Sequence, residues 1–230
     1  MEDFINNTYD PAMFCIQDVT EYDNSCLYRS IGNIINNRMI DNKMIDFIEI
    51  DNIMNVDEKE LARKTQKDTY EWVLNHLDKI YPELNITISD MILNCHEMCV
   101  DDYIEYYKYF AGDLVIMKIK KGDTITTEVM PNRWGSTLEL YAISNIYKVP
   151  ICVFMSQKYD TKKEKCVTGR LRNTKVEKGV RFKLSEVIGK EHIKNKTPII
   201  ILWRKTREGG HYMSLYPYKE LWLDEEYKLV

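Results

Sequence analysis

Apolar residues recur at helical spacing through the first half of the chain and fall into short blocks through much of the second, so the two halves predict different elements. Leu27, Ile31, Ile34 and Ile35 predict a helix over 27–38 with one buried face. Asp57 with Glu60, and Asp68 with Glu71, have capping-box spacing, and Trp72, Val73, Leu77 and Ile80 then form an apolar stripe stopped by Pro82. A third helical region from Ser89 to Phe110 carries Ile92, Cys95, Cys99, Tyr103, Tyr106 and Phe110, with a break expected near Asp101 and an end at Gly112. From Asp113 the period changes. Leu114 to Met117 and Ile125 to Val129 flank Lys121-Gly122-Asp123, which reads as a hairpin turn. Ser136 and Glu139 cap a helix running to about Tyr147, and Pro150 introduces a strand from Ile151 to Met155. Residues 156–183 are polar and lysine-rich, while Pro198 to Arg204 and His211 to Tyr216 predict two strands joined through Arg207-Glu208-Gly209-Gly210. Helices first and strands later predict an α+β sandwich.

Composition narrows the class. The 230 residues fit a single domain, 1–230, large enough for a substantial core, with candidate insertions near 39–66, 112–132 and 156–183. At 44% hydrophobic and 30% charged the chain reads as a soluble globular protein, and no stretch has the roughly 20 apolar residues of a membrane span. Met1-Glu2-Asp3-Phe4 lacks the basic and then apolar pattern of a secretory signal, so a cytoplasmic setting is expected. A net charge of -4 argues against nucleic acid as partner. Lys162, Lys163, Lys165, Arg170 and Arg172 read as a solvated run. The six cysteines, Cys15, Cys26, Cys95, Cys99, Cys152 and Cys166, form no close pairs and are expected as thiols. Cys95 and Cys99 with His96 invite a zinc reading, but i, i+4 placement on an apolar stripe and the lack of a second ligand pair favour core, and no metal is expected. A bias toward Ile, Asn, Lys and Tyr points to AT-rich coding sequence, as in a virus or an intracellular bacterium.

Two segments carry candidate chemistry. In Asp23-Asn24-Ser25-Cys26-Leu27-Tyr28-Arg29-Ser30-Ile31 a polar turn precedes a cysteine at a helix start, where the dipole and free N–H groups favour thiolate. In Gly209-Gly210-His211-Tyr212-Met213-Ser214-Leu215 a histidine opens a strand, and the fold can bring it beside a distant thiol. His76, His96 and His192 sit in helical or charged contexts and read as surface or structural residues.

The first segment resembles the cysteine box of the ovarian tumour (OTU) family of cysteine deubiquitinases. Trp134-Gly135-Ser136-Thr137-Leu138-Glu139-Leu140-Tyr141-Ala142-Ile143-Ser144 with Val149 to Phe154 resembles the family's central box, and His211 to Leu215 its histidine strand. The three boxes stand in the family's order across residues 23–217. The resemblance implies a papain-like α+β fold, a central β-sheet packed between helical regions. It also implies hydrolysis of the isopeptide bond after the C-terminal glycine of ubiquitin or a ubiquitin-like modifier, without a cofactor. Cys26 is then the nucleophile, His211 the base and Asp23 the third member, with Asp18 and Glu208 as less specific alternatives. Asn24 and Ser25 form the oxyanion turn. Trp134 and Tyr212 are candidate walls of the substrate channel, with Trp203 nearby and core packing the alternative for each. The chain departs from the family at Asn24, at Ser25 and at Met213, where an orienting polar residue is usual. Those departures set up the competing expectation of a weak or inactive module that binds ubiquitin or another protein.

Overall fold

The computed structural model describes residues 8–11, 14–19, 25–40, 43–44, 58–107, 115–121, 124–130, 135–158, 180–193, 197–205 and 210–217. In chain order these form β1 (Thr8–Tyr9), β2 (Phe14–Gln17), α1 (Cys26–Arg38), β3 (Met39–Ile40), β4 (Lys43–Met44), α2 (Glu58–Leu74), β5 (Ile80–Tyr81), β6 (Ile86–Thr87), α3 (Ile88–His96) and α4 (Val100–Tyr107). There follow β7 (Val115–Lys121), β8 (Thr124–Met130), α5 (Thr137–Tyr147), β9 (Ile151–Lys158), β10 (Val180–Ile188), β11 (Ile199–Lys205) and β12 (Gly210–Pro217).

The central sheet has six strands in the order β1-β10-β9-β11-β12-β2. Among the described residues of this sheet only β9 and β11 run parallel, and the other pairs are antiparallel. Strand side chains alternate faces, and the two faces carry different cores. Ile199 and Ile201 of β11, Ile151 and Val153 of β9, and Tyr216 of β12 join the apolar sides of the five helices in one cluster. Ile200, Leu202, Phe154, Met213 and Leu215 point the other way, into a second cluster with Phe14, Ile16, Phe182 and Leu184. Among the described residues that second cluster draws only on β-strands. Phe14 contacts both Phe154 and Phe182 there through tilted rings. The fold is therefore α+β with a central sheet, as the change of period predicts.

Helix α1 packs against α2 and against β11 and β12. Its residues Leu27, Ile31 and Ile34 are at most 1% exposed, and burial at that level contributes roughly 1.5–3 kcal/mol per side chain. This anchors the helix whose first residue is Cys26. Ser214 of β12 donates its hydroxyl to the Ser30 carbonyl at 2.8 Å, tying the histidine strand to the same helix.

Several boundaries differ from the sequence expectation. Asp68 lies inside α2, because the i, i+3 spacing of Asp68 and Glu71 serves an exposed helix face as readily as a cap. The helix ends at Leu74, Leu77 beyond it still packs against the core, and Ile80 is 47% exposed in β5. The break in the third helical region falls at Glu97, in the left-handed conformation with φ 55°, rather than near Asp101. That break turns Cys99 outward, so it is exposed and not part of the core. Strand β10 runs into a segment read as a lysine-rich insertion, although Phe182 and Leu184 already alternate with charged residues there. The hairpin of β7 and β8 and the capping box of Ser136 and Glu139 form as predicted.

Candidate active site

Cys26 is the first residue of α1. The first helical hydrogen bond there runs from the Arg29 N–H to the Ser25 carbonyl at 2.9 Å. The N–H groups of Cys26, Leu27 and Tyr28 precede it and so have no carbonyl one turn back within the helix, which makes this end a favourable place for negative charge. The Ser25 hydroxyl accepts from Arg29 Nε at 2.5 Å. The Ser25 side chain is thus tied to the first turn of α1, and any role toward an oxyanion falls to its main chain.

His211 is the second residue of β12, opposite Arg204 of β11. Its Nε2 lies 2.7 Å from Asp18 Oδ1, and the Cys26 thiol is its other hydrogen-bonding neighbour. With Nε2 engaged by the carboxylate, Nδ1 is the ring nitrogen left for sulfur. Asp18 directly follows β2, the edge strand paired with β12, and the Val19 N–H donates to the same Oδ1 at 2.9 Å. A third group approaches the sulfur, since the Tyr212 backbone N–H lies 3.5 Å from Cys26 Sγ. One strand therefore supplies both an imidazole and an amide to one thiol.

The electrostatics follow from this contact. Burial acts to lower the His211 pKa, but the hydrogen bonds to Asp18 and Cys26 and their charges outweigh it and raise the pKa to about 9. Burial likewise acts to raise the Asp18 carboxyl, yet the hydrogen bond and charge of His211 hold it below its ordinary value, helped by the Val19 amide and by Arg204. At neutral pH the site thus holds an imidazolium between a carboxylate and the Cys26 sulfur. Cys26 is 3% exposed and His211 2%, so both side chains are buried.

The structure brings Cys26 and His211 together across 185 residues of sequence. The acid it places on His211 is Asp18, the less specific alternative, while Asp23, Asn24, Trp134 and Glu208 lie outside the described residues. Met213 is buried in the second core, so a side chain two residues after His211 faces away from the helices. The ring is met instead by Asp18, just past the end of the neighbouring strand β2. Tyr212 packs against the helix-side core and gives the thiol its amide rather than its ring. Its hydroxyl is held well above its ordinary pKa, by burial first and by the nearby Cys26 charge. Trp203 stands opposite Tyr212 and lies over Gly210, where an added Cβ would come within 2.1 Å of the indole nitrogen.

The other histidines have structural partners. His76 bonds the Trp72 carbonyl at 2.7 Å and stacks on its ring, and His96 contacts Glu139 at 2.9 Å. Cys15, Cys26, Cys95, Cys99 and Cys152 are free thiols. Burial raises the Cys152 pKa to about 12, which leaves that thiol inert. Among the described residues no group of three His, Cys, Asp or Glu side chains is placed to hold a metal, and no helix is long and apolar enough to cross a membrane.

No family model matches the chain, and no curated protein matches it. Among solved structures it is similar to the viral OTU domain protease from Taggert virus at 15% identity, covering 92% of this chain and 86% of that one, with a TM-score of 0.39. It is also similar to the Hazara virus OTU bound to ubiquitin at 13% identity, covering 93% of this chain and 87% of that one, with a TM-score of 0.42.

Proposed function

We propose that the chain is an OTU-like cysteine protease that releases ubiquitin or a ubiquitin-like modifier from its conjugates in the cytoplasm. The observation that carries this reading is His211 set between the Asp18 carboxylate and the Cys26 thiol at the start of α1. The three sequence boxes supply the substrate class. Cys26 Sγ attacks the carbonyl carbon of the bond, and the oxyanion that forms is met by the Cys26 N–H at the helix end; such donors lower a barrier by roughly 3–4 kcal/mol. The imidazolium of His211 gives its proton to the leaving amine, and the C–N bond breaks to leave a thioester on sulfur. Water then attacks the thioester with His211 taking its proton, the C–S bond breaks to release the modifier with a free C-terminal carboxylate, and the sulfur and imidazolium return to their starting state. Asp18 orients the ring and stabilises its charge throughout. No metal or organic cofactor enters these steps.

The test is to mix the protein with ubiquitin carrying a C-terminal electrophile and weigh the product. The expected result is a single covalent adduct that disappears in Cys26→Ala. Absence of an adduct with ubiquitin and with ubiquitin-like probes, while Cys26→Ala still binds ubiquitin, would establish a binding module instead.

A further inference from the structure

Behind the first turn of α1 lies a second polar cluster that the reaction does not use. Glu139, in the first turn of α5, is fully buried, and both carboxylate oxygens are engaged. Oε2 accepts from the Ser136 N–H and hydroxyl, each at 2.7 Å. Oε1 meets His96 Nε2 of α3 at 2.9 Å and accepts from the Tyr103 hydroxyl of α4 at 3.0 Å. His96 Nδ1 in turn lies 3.2 Å from the Tyr107 hydroxyl, and Ser136 Oγ lies 3.3 Å from His96 Nε2. Burial acts to raise the Glu139 carboxyl, but His96 and Ser136 together hold it below its ordinary value.

A capping box needs only the Ser136 bonds, and it serves as well on the surface. Burying this one takes a carboxylate out of water, which is costly unless every lone pair is met, and three helices meet them here. The cluster borders the start of α1 at two places. Gly135, next to Ser136, lies so close to Leu27 that an added Cβ would come within 2.1 Å of Leu27 Cδ2. Tyr28 is fully buried with its hydroxyl unpartnered among the described residues, near enough to Glu139 and Tyr107 for their charges to raise its pKa further after burial. Leu27 and Tyr28 directly follow Cys26.

We propose that the His96–Glu139 cluster is a positioning device for the catalytic cysteine. By locking Ser136 it presses Gly135 onto Leu27 and sets where Cys26 and its backbone N–H stand relative to His211. Glu139, His96 and Gly135 are positioning residues that touch neither sulfur nor substrate. The inference rests on Cys26 and His211 being the reacting pair.

The test compares wild type, Glu139→Gln, Gly135→Ala and Gly135→Ala/Leu27→Val. Three measurements are made on each: the pH profile of Cys26 alkylation by iodoacetamide, read by peptide mass, kcat and KM on a fluorogenic ubiquitin C-terminal substrate, and thermal melting. A reacting atom displaced by about 1 Å can cost about a hundredfold in rate. Gly135→Ala is therefore expected to lower kcat by about ten- to a hundredfold with KM little changed, and to slow Cys26 alkylation toward the rate of exposed Cys99. Leu27→Val removes the colliding methyl and is expected to restore both. Glu139→Gln, which sets an amide N–H against the Ser136 N–H, is expected to move the same two readouts. An active wild type whose Gly135→Ala and Glu139→Gln variants keep its kcat and alkylation profile overturns the inference alone. Loss of activity in step with melting, without rescue by Leu27→Val, overturns it as well. A wild type that neither turns over nor alkylates at low pH overturns the reading of the pair, and the inference with it.

Discussion

Asp18, just past the end of β2, lies 2.7 Å from the His211 ring and is the group that orients it in the proposed reaction. Its removal separates orientation from bulk structure. Asp18→Asn keeps a hydrogen-bonding group against Nε2 but takes away the charge, so the His211 pKa is expected to fall from about 9 toward its ordinary value of 6.5. Turnover should fall by about a hundredfold, the scale of one general acid or base contribution. Imidazole titration by NMR reads the first effect and steady-state kinetics the second; an unmoved pKa would contradict the assignment. The sign of the accompanying stability change follows from linkage. A histidine whose folded pKa is raised from 6.5 to about 9 adds stability that is fully present below pH 6.5 and lost as pH rises through about 9. The depressed Asp18 carboxyl adds stability above its unfolded value of 3.8 and loses it as pH falls through the folded one. The gap in melting temperature between wild type and Asp18→Asn should thus be widest around pH 5 to 6.5 and narrow toward pH 10.

Strand β12 is the element on which the site depends, because it carries the imidazole, the amide facing sulfur and the serine bonded to α1. Its start is held by an aromatic contact from β11. Gly210→Ala would drive a methyl group into the Trp203 indole, and Trp203 belongs to the strand paired with β12. Overpacking of this kind costs about 1–3 kcal/mol, and here the strain falls one residue from His211. The expected outcome is a lower melting temperature together with a loss of turnover larger than the stability change alone produces. Wild-type kinetics in the variant would show that the site does not sense the strand start. The strand itself was legible in the sequence, since His211 to Tyr216 is a short run rich in aromatic and apolar residues after Gly209-Gly210. Its neighbour β2 was not, because a four-residue strand far from its partner has too short a pattern to stand out.

At the scale of the molecule, the helices and the sheet are joined by side chains far apart in sequence. Arg38, near the end of α1, donates to the Pro198 and Thr197 carbonyls, each at 2.9 Å, just ahead of β11. Arg38→Ala leaves both carbonyls without that donor, and with charged hydrogen bonds contributing roughly 1.5–3 kcal/mol, denaturant unfolding should show a loss of about 2–4 kcal/mol. A loss below about 0.5 kcal/mol would mean that water replaces the guanidinium. The sequence by itself determined the α+β class, the capped helix α5, the strands β9, β11 and β12, and the cysteine and histidine worth testing. These rest on local periods, caps and short boxes, which act over a few residues and are written in their order. The position of Asp18 against His211, the sorting of β12 into two faces that sends Met213 away from the helices, and the burial of Glu139 behind Cys26 were decided only by the tertiary structure. Each depends on which strands become neighbours and which helix ends converge. That outcome is set by packing the whole core at once, and no segment carries it alone.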